Sequence, residues 1–125
     1  MVRRVIAELD DWQGDRRKMQ LVIAPEATGT KEMTVFRVEM EPYAQTSVHT
    51  HDGVELMYYL TGHGEMSMGD EIIEVGPDVA VLAEKGVVHQ LRNGSEPMTL
   101  LCIYVPPVPT SFIQSNYVIV PKKKA

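Results

Sequence analysis

Apolar and polar positions alternate along much of the chain in short runs broken often by Gly, Pro and Asn. In Phe36-Arg37-Val38-Glu39-Met40 the apolar members fall on every second residue, which is the period of a strand with one buried face. Similar runs predict strands over residues 19–24, 33–40, 56–60, 65–68, 71–75, 79–82, 89–92 and 98–105. Gly69-Asp70 and Asn93-Gly94 read as hairpin turns, Asn-Gly being the stronger signal because both residues tolerate positive φ. Pro106-Pro107-Val108-Pro109 ends the last long strand, since proline cannot donate to a ladder. Residues 117–120 are expected to add an edge strand, and residues 6–12 at most one or two helical turns. Many short strands and no internal repeat predict an all-β barrel or sandwich.

Composition narrows the partners. The chain has 125 residues, enough for one core and too few for two. A net charge of −5 argues against a nucleic-acid partner or an anionic membrane surface. No apolar stretch approaches a membrane span, and the opening Met1-Val2-Arg3-Arg4 is followed too soon by Glu8, Asp10 and Asp11 to be a signal peptide. The single cysteine, Cys102, rules out an internal disulfide and fits a reducing cytoplasm, the expected location.

The chemistry concentrates in His49-Thr50-His51-Asp52-Gly53-Val54-Glu55 and, 34 residues beyond Glu55, in His89. In an extended H-x-H step both imidazoles face one side, and Glu55 returns to that side if a strand resumes after Asp52-Gly53. His89 can join them from a distant strand. Nitrogen donors with one carboxylate suit a divalent transition metal (Fe, Mn, Ni, Co, Cu or Zn) rather than calcium or magnesium.

With these motifs in place the chain resembles the cupins. The family's first motif, G-x5-H-x-H-x3,4-E-x6-G, is matched by His49, His51, Glu55 and Gly62, with Tyr43 at the leading glycine. The second, G-x5-P-x-G-x2-H-x3-N, is matched by Gly86, His89 and Asn93, with Glu84 at the proline and Gly76 two residues early. The resemblance covers roughly residues 33–105. It implies a jelly-roll, double-stranded β-helix barrel, all four metal-ligand positions filled, and commonly a homodimer. On this reading residues 1–125 form one cupin domain with a C-terminal extension over 106–125, and a strand around residues 2–6 crosses to the partner.

Other residues read more plainly. His63, between two glycines, is an exposed turn residue and not a ligand. Met57 and Tyr59 follow Glu55 at even spacing and should face the interior; Met57 fills core, while Tyr59 is the candidate to touch substrate and donate a proton. Arg37 and Glu39 belong on the solvated face, and only a reversed register would make Arg37 a carboxylate anchor. Cys102 reads as a buried structural thiol. The eight methionines suggest a plastic apolar lining, and Lys122-Lys123-Lys124 a solvated tail.

Three functions fit. A small-molecule dioxygenase comes first, because many small single-domain cupins with this ligand set are dioxygenases. A non-redox lyase, isomerase or cyclase acting beside a carbonyl or carboxylate is the second. Cupin lyases that cleave dimethylsulfoniopropionate are similar in length, but they carry a tyrosine two residues after the motif glutamate, where this chain has Met57. A non-catalytic module binding a sugar or carboxylate is the third.

Overall fold

The computed structural model describes residues 1–122. Alternating runs become ten strands: β1 (Asp11–Gly14), β2 (Arg17–Ile23), β3 (Thr34–Met40), β4 (Val54–Thr61), β5 (Gly64–Met68), β6 (Glu71–Val75), β7 (Ala80–Ala83), β8 (His89–Asn93), β9 (Met98–Val105) and β10 (Val118–Val120). Two short helices, α1 (Pro25–Thr28) and α2 (Thr110–Gln114), and a 3₁₀ turn at Ile6–Glu8 complete the described residues. One sheet has the order β10-β1-β2-β3-β9-β4-β7 and the other β6-β5-β8, with every pairing antiparallel. This is the expected jelly-roll barrel.

Strand β3 shows how the sequence specifies the arrangement. Thr34, Phe36, Val38 and Met40 are buried while Val35, Arg37 and Glu39 are half-buried on the other face. A slip of one residue would exchange the two sets, so the register with β2 and β9 is fixed by burial. Phe36 lies edge-on to Trp12 at 5.3 Å between ring centroids, a geometry that adds about 0.5–1.5 kcal/mol beyond simple burial. The facing sheet contributes Met66, Val75 and Leu91 to the same core.

Residues 6–12 hold a single 3₁₀ turn, within the one or two turns expected, before β1 begins; Trp12 is drawn into the core and β1 pairs with both β2 and β10. One expectation changes. Asn93-Gly94 is not a hairpin: β8 and β9 lie in different sheets, and the dipeptide carries the chain between them. The Asn93 amide donates to the carbonyls of Glu41 at 2.9 Å and Glu96 at 2.7 Å, tying the crossover to the end of β3. Gly94 donates its N–H to the His63 carbonyl at 2.9 Å, where a Cβ would approach that oxygen to 2.5 Å. Past the prolines the chain forms α2 and returns as β10 on the edge of β1. Lys122 reaches Asp11 at 2.9 Å, and residues 123–125 lie outside the described residues.

The two motif glycines that this chain lacks explain themselves in the backbone. Tyr43 has φ 62°, and Asp78, two residues after Gly76, has φ 64°; Gly62 and Gly86, which are kept, have φ 85° and 80°. All four turns demand the left-handed region, which costs a residue with Cβ on the order of 1–2 kcal/mol. Asp78 is partly compensated by accepting the Tyr58 hydroxyl at 2.9 Å, whereas the Tyr43 side chain is 69% exposed. Tyr43→Gly should therefore raise stability by about 1 kcal/mol, read as a higher thermal midpoint; a lower midpoint would contradict this account of the turn.

Candidate metal centre

The site is assembled across the two sheets. Glu55 is the second residue of β4 and His89 the first of β8. His49 precedes β4 in an isolated antiparallel bridge to His89, with reciprocal N–H to carbonyl bonds of 3.1 and 2.9 Å. The His51 carbonyl accepts the Gly86 N–H at 3.0 Å, which pins the loop before β8. The H-x-H step is thus not a strand, as the alternation alone predicts, but a loop held at two points. The outcome for the side chains is the expected one: donor atoms of His49, His51, Glu55 and His89 all lie within 4.8 Å of one another.

Hydrogen bonds behind the rings set which nitrogen faces inward. His49 Nδ1 is 2.7 Å from the Ser47 carbonyl and His89 Nδ1 is 3.0 Å from the Val87 carbonyl. A carbonyl only accepts, so both Nδ1 atoms carry the proton and both Nε2 atoms are left with a lone pair. His89 Nε2 nevertheless sits 3.2 Å from Glu55 Oε1, and His51 Nε2 sits 3.0 Å from the same oxygen. A neutral imidazole lone pair facing a carboxylate is repulsive; either a proton or a metal cation must lie between them.

The proton affinities follow. Burial works to raise the Glu55 pKa, but hydrogen bonds from His51 and His89 outweigh it and bring the carboxyl down to about 2. Burial lowers the His49 pKa, keeping that ring neutral. His89 moves the other way: burial opposes its charged form, yet contact with Glu55 raises its pKa overall.

These donors fit a divalent transition metal. Two atoms bonded to one ion at about 2.1 Å and at right angles sit about 3.0 Å apart, and the two contacts to Glu55 measure 3.0 and 3.2 Å. Three imidazoles and one carboxylate leave one or two coordination positions for a substrate on a five- or six-coordinate ion.

The cluster opens into a cavity of about 310 Å³ inside the barrel. Met19, Met40, Met57, Met66 and Cys102 contribute to its walls, with Phe36, Val38 and Leu100 behind them. The apolar lining expected from the methionine content is therefore present. Residues of the C-terminal extension, among them Ile113, Asn116 and Tyr117, close one side.

Tyr59 does not line this cavity. It is fully buried, its hydroxyl 2.9 Å from the Met66 sulfur, and burial raises its pKa beyond the ordinary phenol range. The phenol that does face the cluster is Tyr104, edge-on to His51 at 5.1 Å between rings. Parity along β9 already put Tyr104 on the Cys102 face; the missing signal was that β9 lies beside β4, with Glu55 opposite Tyr104. Cys102 is buried, and burial together with the nearby Glu55 charge keeps its thiol protonated. Arg37 lies on the outer face with Gln20 and Glu39, and His63 is exposed and apart from the cluster.

The Cupin domain family matches residues 36–104. Among solved structures the chain is similar to ectoine synthase from P. lautus, with a TM-score of 0.82 and 17% identity over 98% of this chain and 94% of that one. A predicted oxalate decarboxylase from Thermotoga maritima gives a TM-score of 0.74 and 19% identity over 85% and 99%. KdgF from Halomonas sp. gives 0.69 and 17% over 82% and 92%. No curated protein matches the sequence. The family match spans more than half of the chain, its boundaries enclose all four metal-site residues, and the barrel is the one the motifs imply: the chain belongs to the cupin family.

Proposed function

We propose that the cavity is the active site of a metal-dependent enzyme acting on a small organic molecule by non-redox proton transfer, as a lyase, isomerase or cyclase does. The observation that carries the metal is the convergence of four ligand-type donors: those of His49, His51, Glu55 and His89 lie within 4.8 Å of one another, and His89 commits its Nδ1–H to the Val87 carbonyl, so that its Nε2 faces Glu55. His49, His51, Glu55 and His89 would hold the ion, which when bound stabilises negative charge on a substrate oxygen.

The chain's own groups supply the rest. Burial and the Glu55 charge raise the Tyr104 pKa well above its usual value, so its hydroxyl stays neutral and can donate a hydrogen bond to charge developing on a substrate oxygen beside His51. The sequence assigned the substrate contact to Tyr59. The apolar walls exclude water and strengthen each electrostatic contact within. Four thioethers and one thiol line the same space, and activated oxygen oxidises such groups; that favours proton transfer over the dioxygenase chemistry expected first. Two of the similar structures are a synthase and a predicted decarboxylase, which agrees with this preference.

The outer faces of β4, β7 and β9 also support the homodimer that the family suggests. Leu56, Leu60, Leu82 and Val105 are exposed there, from 36% to 52%, and Leu56 pairs directly with Leu82. Contiguous apolar surface of this kind on a sheet is characteristic of association. Residues 2–5 belong to no strand within the single chain, and the exposed leucines make this face a second candidate for the partner contact beside the N-terminal segment.

Four measurements check these proposals. Elemental analysis should find near-stoichiometric metal in the protein and little in His51→Ala or His89→Ala; retention in both would remove the site. Metal affinity should fall as the pH is lowered, and fall earlier than for an ordinary imidazole, because contact with Glu55 raises the His89 pKa and lets protons compete with the ion; pH-independent affinity would contradict this. Once a carbonyl or carboxylate substrate is found by product screening, turnover should persist without oxygen and drop roughly 10²- to 10³-fold in Tyr104→Phe; stoichiometric oxygen consumption would restore the dioxygenase reading, and unchanged ligand would leave a binding module. Leu82→Glu should convert a dimer to a monomer in light scattering, with a monomeric parent contradicting the dimer.

A further inference from the structure

Arg17 opens β2 two residues before Met19, and both line the cavity that holds the histidine cluster. Its guanidinium is the one arginine charge on that lining. Like several other described cations it has no carboxylate partner, but it differs from them in lining this cavity. Its Nη1 donates to the Gln45 carbonyl at a long 3.4 Å, and the Tyr117 ring lies 5.6 Å from its central carbon. Its Nε is buried with no hydrogen-bond partner. The one acidic side chain lining the cavity, Glu55, is already engaged by His51 and His89.

A buried guanidinium donor without an acceptor costs free energy unless a ligand satisfies it. The planar fork matches a carboxylate through two parallel bonds, and the Tyr117 ring offers the guanidinium a cation–π contact at 5.6 Å. Thr46, Ser47 and Asn116 line the same cavity and offer hydroxyl and amide groups to the rest of a polar ligand. We propose that Arg17 anchors a carboxylate of the substrate, making the substrate class a small organic acid with a second oxygen function directed at His49, His51, Glu55 and His89. This rests on the reading of the cavity as a substrate site, and it assigns to Arg17 the anchoring role that a reversed register would have given Arg37.

The test is a titration of metal-free, ¹⁵N-labelled protein at pH 8 with succinate and with its neutral analogue succinamide, following the Arg17 Nε–H resonance. Succinate should shift that resonance saturably. Affinity should fall about tenfold or more in Arg17→Gln, with partial recovery in Arg17→Lys, because lysine keeps the charge and loses the fork. Succinamide should bind no better than succinate binds to Arg17→Gln. An unmoved Nε–H signal, no binding of succinate, or equal affinity in Arg17→Gln with its thermal midpoint unchanged would each overturn the assignment. Metal content is measured separately on the same two variants: loss of anion binding with metal retained isolates Arg17, and absence of metal from the parent defeats the catalytic reading without touching the anchor.

Discussion

The structure depends on how one carboxylate is held between two imidazoles. Glu55 is buried and would be protonated in an apolar barrel were it alone. His51 and His89 hold it ionised, and the His89 ring donates its Nδ1–H to the Val87 carbonyl, so that its Nε2 is the nitrogen facing Glu55. The barrel therefore closes around a place that requires a cation. A proton or a divalent metal can satisfy it, and the same donors would serve both.

The fold exists around that requirement. Glu55 comes from one sheet and His89 from the other, so the donors converge only when the sheets pack correctly. The reciprocal backbone bonds between His49 and His89 act as a stitch across the opening. Positive-φ turns occur at Tyr43, Gly62, Asp78 and Gly86, and the last of them bonds its N–H to the His51 carbonyl. Two of these positions accept a side chain where glycine is better suited, which costs stability and leaves the ligand geometry intact.

Much of this is legible in the sequence, for identifiable reasons. Alternation marks β3 and β9 because each has one buried face, and the histidine spacing marks the site because metal ligands tolerate few other residues. What the sequence hides depends on tertiary neighbours. Asn93-Gly94 carries the local chemistry of a hairpin, yet the Asn93 amide is taken up by carbonyls at the end of β3. Arg17 sits two residues before the start of the apolar run, so its inward parity is visible only once β2 is extended backward. Tyr59 and Tyr104 both have inward parity; depth along the barrel, which no local pattern encodes, puts one in the core and the other beside His51.

The proposed function and the orientation proposed for an acid anchored by Arg17 both rest on the four donors acting as one metal site. The most direct test of that site is a crystal structure of protein reloaded with zinc or manganese, with anomalous data at the metal edge. The account predicts one strong peak bonded at about 2.1 Å to Nε2 of His49, His51 and His89 and to Glu55, with the Nδ1 bonds to Ser47 and Val87 retained. A peak elsewhere, or a Glu55 still hydrogen-bonded to both rings with no ion between them, would contradict it.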